Sequence, residues 1–145
     1  MRWYPDGIEC KAFCLIEHEG RWLLQEFFHP ETHERYVRFL GGAIEKGEYA
    51  REAVIREIRE ELGSELEDIE FLTVCEHVFP FQGSTRHQVI FIFRGRLANL
   101  ALLEQEEILI KEFGKTWRAI WIDKQDLKNG TIPLRPSAIP YSAWL

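Results

Sequence analysis

Glu57, Glu60 and Glu61 fall within the run REIREELG, residues 56–63. At 3.6 residues per turn, spacings of three and four place the three carboxylates on one arc of a helix, about 140° wide or less. Like charges so placed repel by about 0.2–0.5 kcal/mol per exposed pair. The nearby cations are Arg56 and Arg59, and Arg56 is one position off the cluster. A hard divalent cation with oxygen ligands, most simply Mg²⁺, relieves the repulsion and uses all three side chains. A solvated acidic helix face is the plain alternative, and for the three residues alone it is the preferred reading.

A helix at about residues 49–62 must hold them. Ala50, Ala53, Val54, Ile58 and Leu62 recur at three- and four-residue spacing among strong helix formers, and Gly63 supplies a stop. Glu48 suits the positive end of the helix dipole. The glycines Gly41 and Gly42 precede it, where close backbone approach and unusual dihedrals are allowed.

The whole stretch resembles the Nudix box, G-x5-E-x7-R-E-U-x-E-E-x-G-U with U a bulky apolar residue. Gly42, Glu48, Arg56, Glu57, Ile58, Glu60, Glu61 and Gly63 occupy its slots, while Ser64 stands in the last apolar one and costs a packing contact. Leu40 stands where family members often carry proline. The resemblance is dense over about a sixth of the chain. It implies a Mg²⁺-dependent pyrophosphohydrolase, with Mn²⁺ as a substitute. Such an enzyme cuts the phosphoanhydride of a nucleoside diphosphate derivative or a nucleoside triphosphate by attack of water on phosphorus.

On that resemblance Glu57, Glu60 and Glu61 hold metal, joined by a carbonyl of the glycine pair, that of Gly41 first. Glu57 also orients or deprotonates the water. Arg56 orients a catalytic glutamate by charge-assisted hydrogen bonding. Glu48 is a weaker ligand or a brace for the loop. Some relatives take their general base from a distant loop, and Glu104, Glu106 and Glu107 lie in the least regular segment here; position ranks Glu106 and Glu107 first. Arg38 is a candidate phosphate contact, as are Arg94 and Arg96, which alternate along one strand face. Exposed strand cations are the plain reading of all three.

The 145 residues suit a single domain, 1–145, able to bury about two thirds of its unfolded surface. A formal net charge of −6 argues against sequence-independent binding to duplex nucleic acid. It does not argue against a phosphorylated small molecule, since bound metal reverses the local sign. No apolar run approaches a membrane span, and the polar start lacks a signal-peptide core, so a cytoplasmic protein is expected. A homodimer is compatible with this reading. Cys10, Cys14 and Cys75 read as buried free thiols in a reducing compartment; strand spacing of about 13 Å per four residues keeps Cys10, Cys14 and His18 from sharing an ion.

Along the chain, residues 8–17 and 21–28 read as a hairpin, 35–40 as a strand running into the glycines, and 69–81 with 87–97 as a second hairpin. Residues 89–93 are uniformly apolar, as in a central strand covered on both faces. Residues 102–116 are weakly patterned, 117–122 form a last strand, and a short helix runs from Asp123 to Lys128. The proline-bearing tail, 131–145, reads as an extended wrap. The fold class is α/β: a Nudix-like α/β/α sandwich whose mixed sheet is covered by helices on its two faces.

Two other functions share this box. A nucleotide sensor without turnover has no need of the full acidic set. An isoprenoid diphosphate isomerase on the same fold uses a cysteine, for which Cys75 is the one candidate near acidic and histidine neighbours.

Overall fold

The computed structural model describes residues 7–145; the polar start at residues 1–6, one ground for expecting a cytoplasmic protein, lies outside them. Eight strands form one mixed sheet among the described residues. β1 (Ile8–His18) and β2 (Arg21–Phe28) make the first hairpin, followed by β3 (Arg35–Arg38) and β4 (Leu40–Ala43). Helix α1 is Ala50–Leu62, and β5 (Leu66–Phe81) with β6 (Ser84–Leu97) is the long second hairpin. A 3-10 turn at Leu100–Glu104 leads to β7 (Glu107–Glu112), β8 (Lys115–Asp123) and α2 (Lys124–Lys128).

The strand order is β5-β6-β1-β2-β8-β7, with β4 on the flank of β1 and β3 on that of β2. β1 and β6 are parallel; the other strand pairs are antiparallel. β1 meets β2 only at Glu17–Trp22 and His18–Arg21. Beyond that point β4 takes one strand's flank and β3 the other's, so the halves of the sheet part. The expected single strand 35–40 is therefore two, divided at Phe39 as the chain crosses from one half to the other. Leu40 is fully buried and pairs with Cys14, a position where proline would forfeit a backbone donor.

Strand alternation builds two cores. Ala12, Cys14 and Ile16 of β1 face α1, meeting Val54, Ile58 and Leu62. Phe13 and Leu15 face the other way, toward Leu127 of α2 and toward Ile139 and Tyr141 of the tail. Ile90 and Ile92 join this second core, while Phe91 and Phe93 face the first, as expected of a strand covered on both sides. The tail does more than wrap the surface. Val37 donates to the Pro133 carbonyl and accepts from the Arg135 amide, both at 3.0 Å, which closes the free edge of β3.

The weakly patterned segment contains β7. Ile108 and Ile110 point inward, but Leu109 is 57% exposed and masks the alternation. Among the described residues, no helix is long and apolar enough to cross a membrane. Cys10, Cys14 and Cys75 are free as expected, but only Cys14 is buried; Cys75 is half-buried and Cys10 is exposed.

Candidate active site

The helix is fixed at both ends before its acids are placed. Glu52 accepts the Tyr49 amide at 3.0 Å, half of a capping box, and Gly63 takes the left-handed conformation, φ 65°, while donating to the Arg59 carbonyl. Ser64 is buried, and its hydroxyl accepts the Asn99 amide at 3.0 Å while donating to the Glu65 carbonyl. The departure from an apolar residue thus becomes a tie between the helix end and the loop after β6.

Arg56 organises the acids. It donates to Glu48 Oε2 at 2.8 Å and Oε1 at 3.1 Å, to Glu57 Oε1 at 3.0 Å, to Glu60 Oε2 at 3.3 Å and to the Ala43 carbonyl at 2.9 Å. One guanidinium therefore locks the loop, the first acid and the helix face into one arrangement. Glu48 also accepts the Glu45 amide at 3.0 Å. Its two sets of contacts hold the loop closed.

Gly42 makes room for Glu57. A Cβ there would lie 2.5 Å from the Glu57 carboxyl carbon. At Gly41, φ is 143° and a Cβ would overlap the backbone of Ala12 and Phe13. The two glycines let β4 pass directly beneath the acidic end of α1.

Glu57 and Glu61 are both buried, with 7% and 8% of their surfaces exposed. Burial pushes the Glu57 carboxyl up, opposed by Arg56 and assisted by Glu60 and Glu112. Glu61 is raised well above the usual range, by burial first and then by Glu57, while Arg38 and a hydrogen bond from the Gly41 backbone pull it back. Glu61 Oε1 is buried without a hydrogen-bond partner. Leaving such an atom unpaired costs about 1–3 kcal/mol.

Among the described residues, no three acids, histidines or cysteines converge closely enough to hold an ion as they stand. Glu60 is drawn away to Arg56 and its side chain is 58% exposed. Even so, the donors fit a divalent cation: hard oxygens only, two carboxylates buried side by side, and one oxygen lacking any partner.

Glu112 is a site residue that sequence reasoning missed. It ends β7 on the face of Ile108 and Ile110, and its charge acts on Glu57, Glu61 and Arg38 together. Continuing the alternation past Ile110 would have found it. Glu107 is on the opposite face of β7, where its Oε2 accepts from Arg118 at 2.7 Å, and Glu106 is an exposed bend residue before the strand.

Arg38 reaches the site. Its guanidinium lies 4.5 Å from the centre of the Phe13 ring and 4.6 Å from that of Phe27, donates to the Phe39 carbonyl, and feels the charge of Glu61. Arg94 and Arg96 are on the second hairpin, beside Glu70 in the first case and Glu67 and Asp68 in the second. They are not gathered with the helix acids.

Known proteins place this arrangement in a family. Residues 11–145 match the NUDIX domain. The nucleoside triphosphatase NudI of Klebsiella pneumoniae is 30% identical over 124 residues, covering 79% of this chain and 81% of that protein. A NUDIX hydrolase from Nitrosomonas europaea superposes with a TM-score of 0.66 over 94% of this chain and 86% of its own, at 18% identity. The MutT NUDIX hydrolase of Burkholderia pseudomallei gives 0.61 at 24% identity, over 92% and 94%. The α/β sandwich with an acid-bearing helix is thus the Nudix fold. The chain belongs to the Nudix hydrolase family, enzymes of the phosphoanhydride bond.

Proposed function

We propose that this protein hydrolyses a phosphoanhydride of a nucleoside triphosphate or a nucleoside diphosphate derivative, with Mg²⁺ or Mn²⁺ as cofactor. The likeness to NudI, a nucleoside triphosphatase, favours the triphosphate. One observation carries the reading: Glu57 and Glu61 are buried together at the end of an intact Arg56 network, with Glu61 Oε1 unpartnered. A purely structural pair of acids would be costly to keep there.

Glu57 and Glu61 would hold the cation, with Glu60 joining once released from Arg56. When bound, the cation neutralises phosphate oxygens and acidifies the attacking water. Arg56 keeps Glu57 oriented and does not itself face substrate. Glu57 and Glu112 are the carboxylates placed to accept a proton from water, ahead of Glu106 and Glu107. Burial raises the proton affinity of Glu57, the direction a general base needs. Arg38, which feels the charge of Glu61 and among the described residues is not tied up by a carboxylate as Arg56 is, would meet phosphate charge.

The test is release of phosphate, pyrophosphate or nucleotide from a panel of nucleoside triphosphates and diphosphate derivatives. Each is run with Mg²⁺, with Mn²⁺ and with EDTA. Metal-dependent cleavage of at least one member is expected. Silence across the panel, with a melting shift on adding one nucleotide, would favour a sensor instead. The isomerase reading gains little: Cys75 is half-buried and burial pushes its thiol up.

A further inference from the structure

The face of the sheet opposite α1 changes character toward the start of β1. Phe13 and Leu15, with Ile90 and Ile92 on the neighbouring β6, are core residues. The next residues on the same face are Lys11 and Glu9 on β1, with Gln88 and Arg86 on β6. Three of these four are charged, and all three are largely buried: Glu9, Lys11 and Arg86 side chains expose 8%, 14% and 11%.

Their pairing leaves positive charge over. Glu9 Oε1 accepts from Arg86 Nη2, and its Oε2 lies 3.6 Å from Lys11 Nζ. Arg86 lies against the rings of Phe79 and Phe81, and its Nε is buried without a partner. Arg38 adds a third cation. It lies over Phe13, the next residue of the face after Lys11, and among the described residues it pairs with no carboxylate. Burial lowers the Lys11 ammonium first; Glu9 opposes this, while Arg38 and Arg86 add repulsion. Lys11 and Arg86 share the one acid Glu9, and Arg38, which feels Glu61 and Glu112 but bonds to neither, adds its charge beside them.

Burying like charges together is unfavourable unless something neutralises them. An anion is the missing partner, and the strip points to where it belongs. Arg38 feels the charge of Glu61, and Lys11, which feels both Arg38 and Arg86, pairs across β1 and β4 with Ala43, next to the glycines beneath the acids. We propose that Lys11, Arg38 and Arg86 form a phosphate-binding track, with Glu9 holding Lys11 and Arg86 in place, that receives the polyphosphate of the substrate. This deepens the hydrolase reading and rests on it for the identity of the anion. Lys11 is its new element, a residue that neither the box nor the helix points to.

The track is tested by titrating inorganic tripolyphosphate into the full-length protein in EDTA, by calorimetry, so that turnover and metal play no part. Wild type is expected to bind. Lys11→Met should weaken binding about tenfold or more, Lys11→Arg should retain it within about threefold, and Lys128→Met, on the exposed surface of α2, should match wild type. A melting temperature for each variant separates lost binding from lost folding. Equal binding by wild type and Lys11→Met, or no binding by wild type, overturns the track. If Lys11→Met raises KM for a nucleotide but binds tripolyphosphate unchanged, Lys11 reads the nucleoside and the phosphate assignment falls. The hydrolase reading fails separately: no nucleotide cleaved, yet tripolyphosphate binding lost in Lys11→Met, leaves the track standing alone.

Discussion

Glu26 and Glu61 are nearly equal in burial and opposite in circumstance. Glu26, 6% exposed, accepts from Arg35 at 2.6 Å and from Arg118 twice at 2.9 Å. Its carboxyl is lowered, by the Arg118 hydrogen bond above all. Glu61, 8% exposed, has one oxygen with no partner and another acid, Glu57, beside it, and its carboxyl is raised. The same residue type, with as little surface exposed, is a staple in one place and keeps an unpaired oxygen in the other. Burial raises Glu61 first and the neighbouring Glu57 adds to it, whereas at Glu26 the arginine hydrogen bonds outweigh burial.

The contrast breaks most visibly in activity. Glu57→Gln should lower kcat by roughly 10²–10³-fold or more, since it removes a charge that stabilises the transition state; melting curves should show the fold intact. Turnover near wild type would detach the helix acids from the chemistry. Glu112→Gln is expected to cost less, on the order of tenfold, unless Glu112 is the base. In that case the loss rises to roughly 10²–10⁴-fold and the acid limb of the pH–rate profile disappears. If Glu106→Gln or Glu107→Gln gives the larger loss, the base lies before or on the far face of β7.

Stability sharpens the contrast with opposite signs. Glu26→Gln should cost about 2 kcal/mol at neutral pH, discounted because Arg35 and Arg118 are partly solvated. Glu61→Gln in EDTA should leave the protein as stable or more so. The pH dependences also diverge. Glu61 binds its proton more tightly folded than unfolded, so its contribution is favourable below the folded pKa and lost as pH rises through it. The melting gap between Glu61→Gln and wild type should therefore move in the variant's favour from about pH 4.3 upward. Glu26 is lowered, so its contribution is present above the unfolded value and lost as pH falls through the folded one. The Glu26→Gln deficit should shrink in acid. Parallel profiles for the two variants would erase the distinction.

A smaller effect tests the packing beneath the acids. Gly42→Ala puts a methyl group against the Glu57 carboxylate and should displace it, lowering kcat by about tenfold with little change in melting.

The helix and its loop were legible because their signals are local. Apolar spacing, a glycine stop and fixed charged slots all occur within one stretch, and Arg56 finds its partners in the same stretch. Glu112 and Lys11 were not, because each becomes a site residue only when distant strands are brought together. Glu112 was hidden behind exposed Leu109 on β7, and Lys11 reads as an ordinary charged residue until β6 supplies Arg86 and β3 supplies Arg38. The tail's part in the second core was likewise unreadable. Its prolines announce an extended chain, but not that Tyr141 would pack 4.8 Å from the Phe39 ring.

The unpartnered Glu61 oxygen is the centre of the account, and a cation titration addresses it directly. Melting temperature is measured for wild type and Glu61→Gln across increasing Mn²⁺ at fixed pH and ionic strength. A saturable rise in wild type that is lost or shifted to at least tenfold higher Mn²⁺ in the variant is the predicted result. Equal rises in both proteins, at the same concentrations, would contradict it.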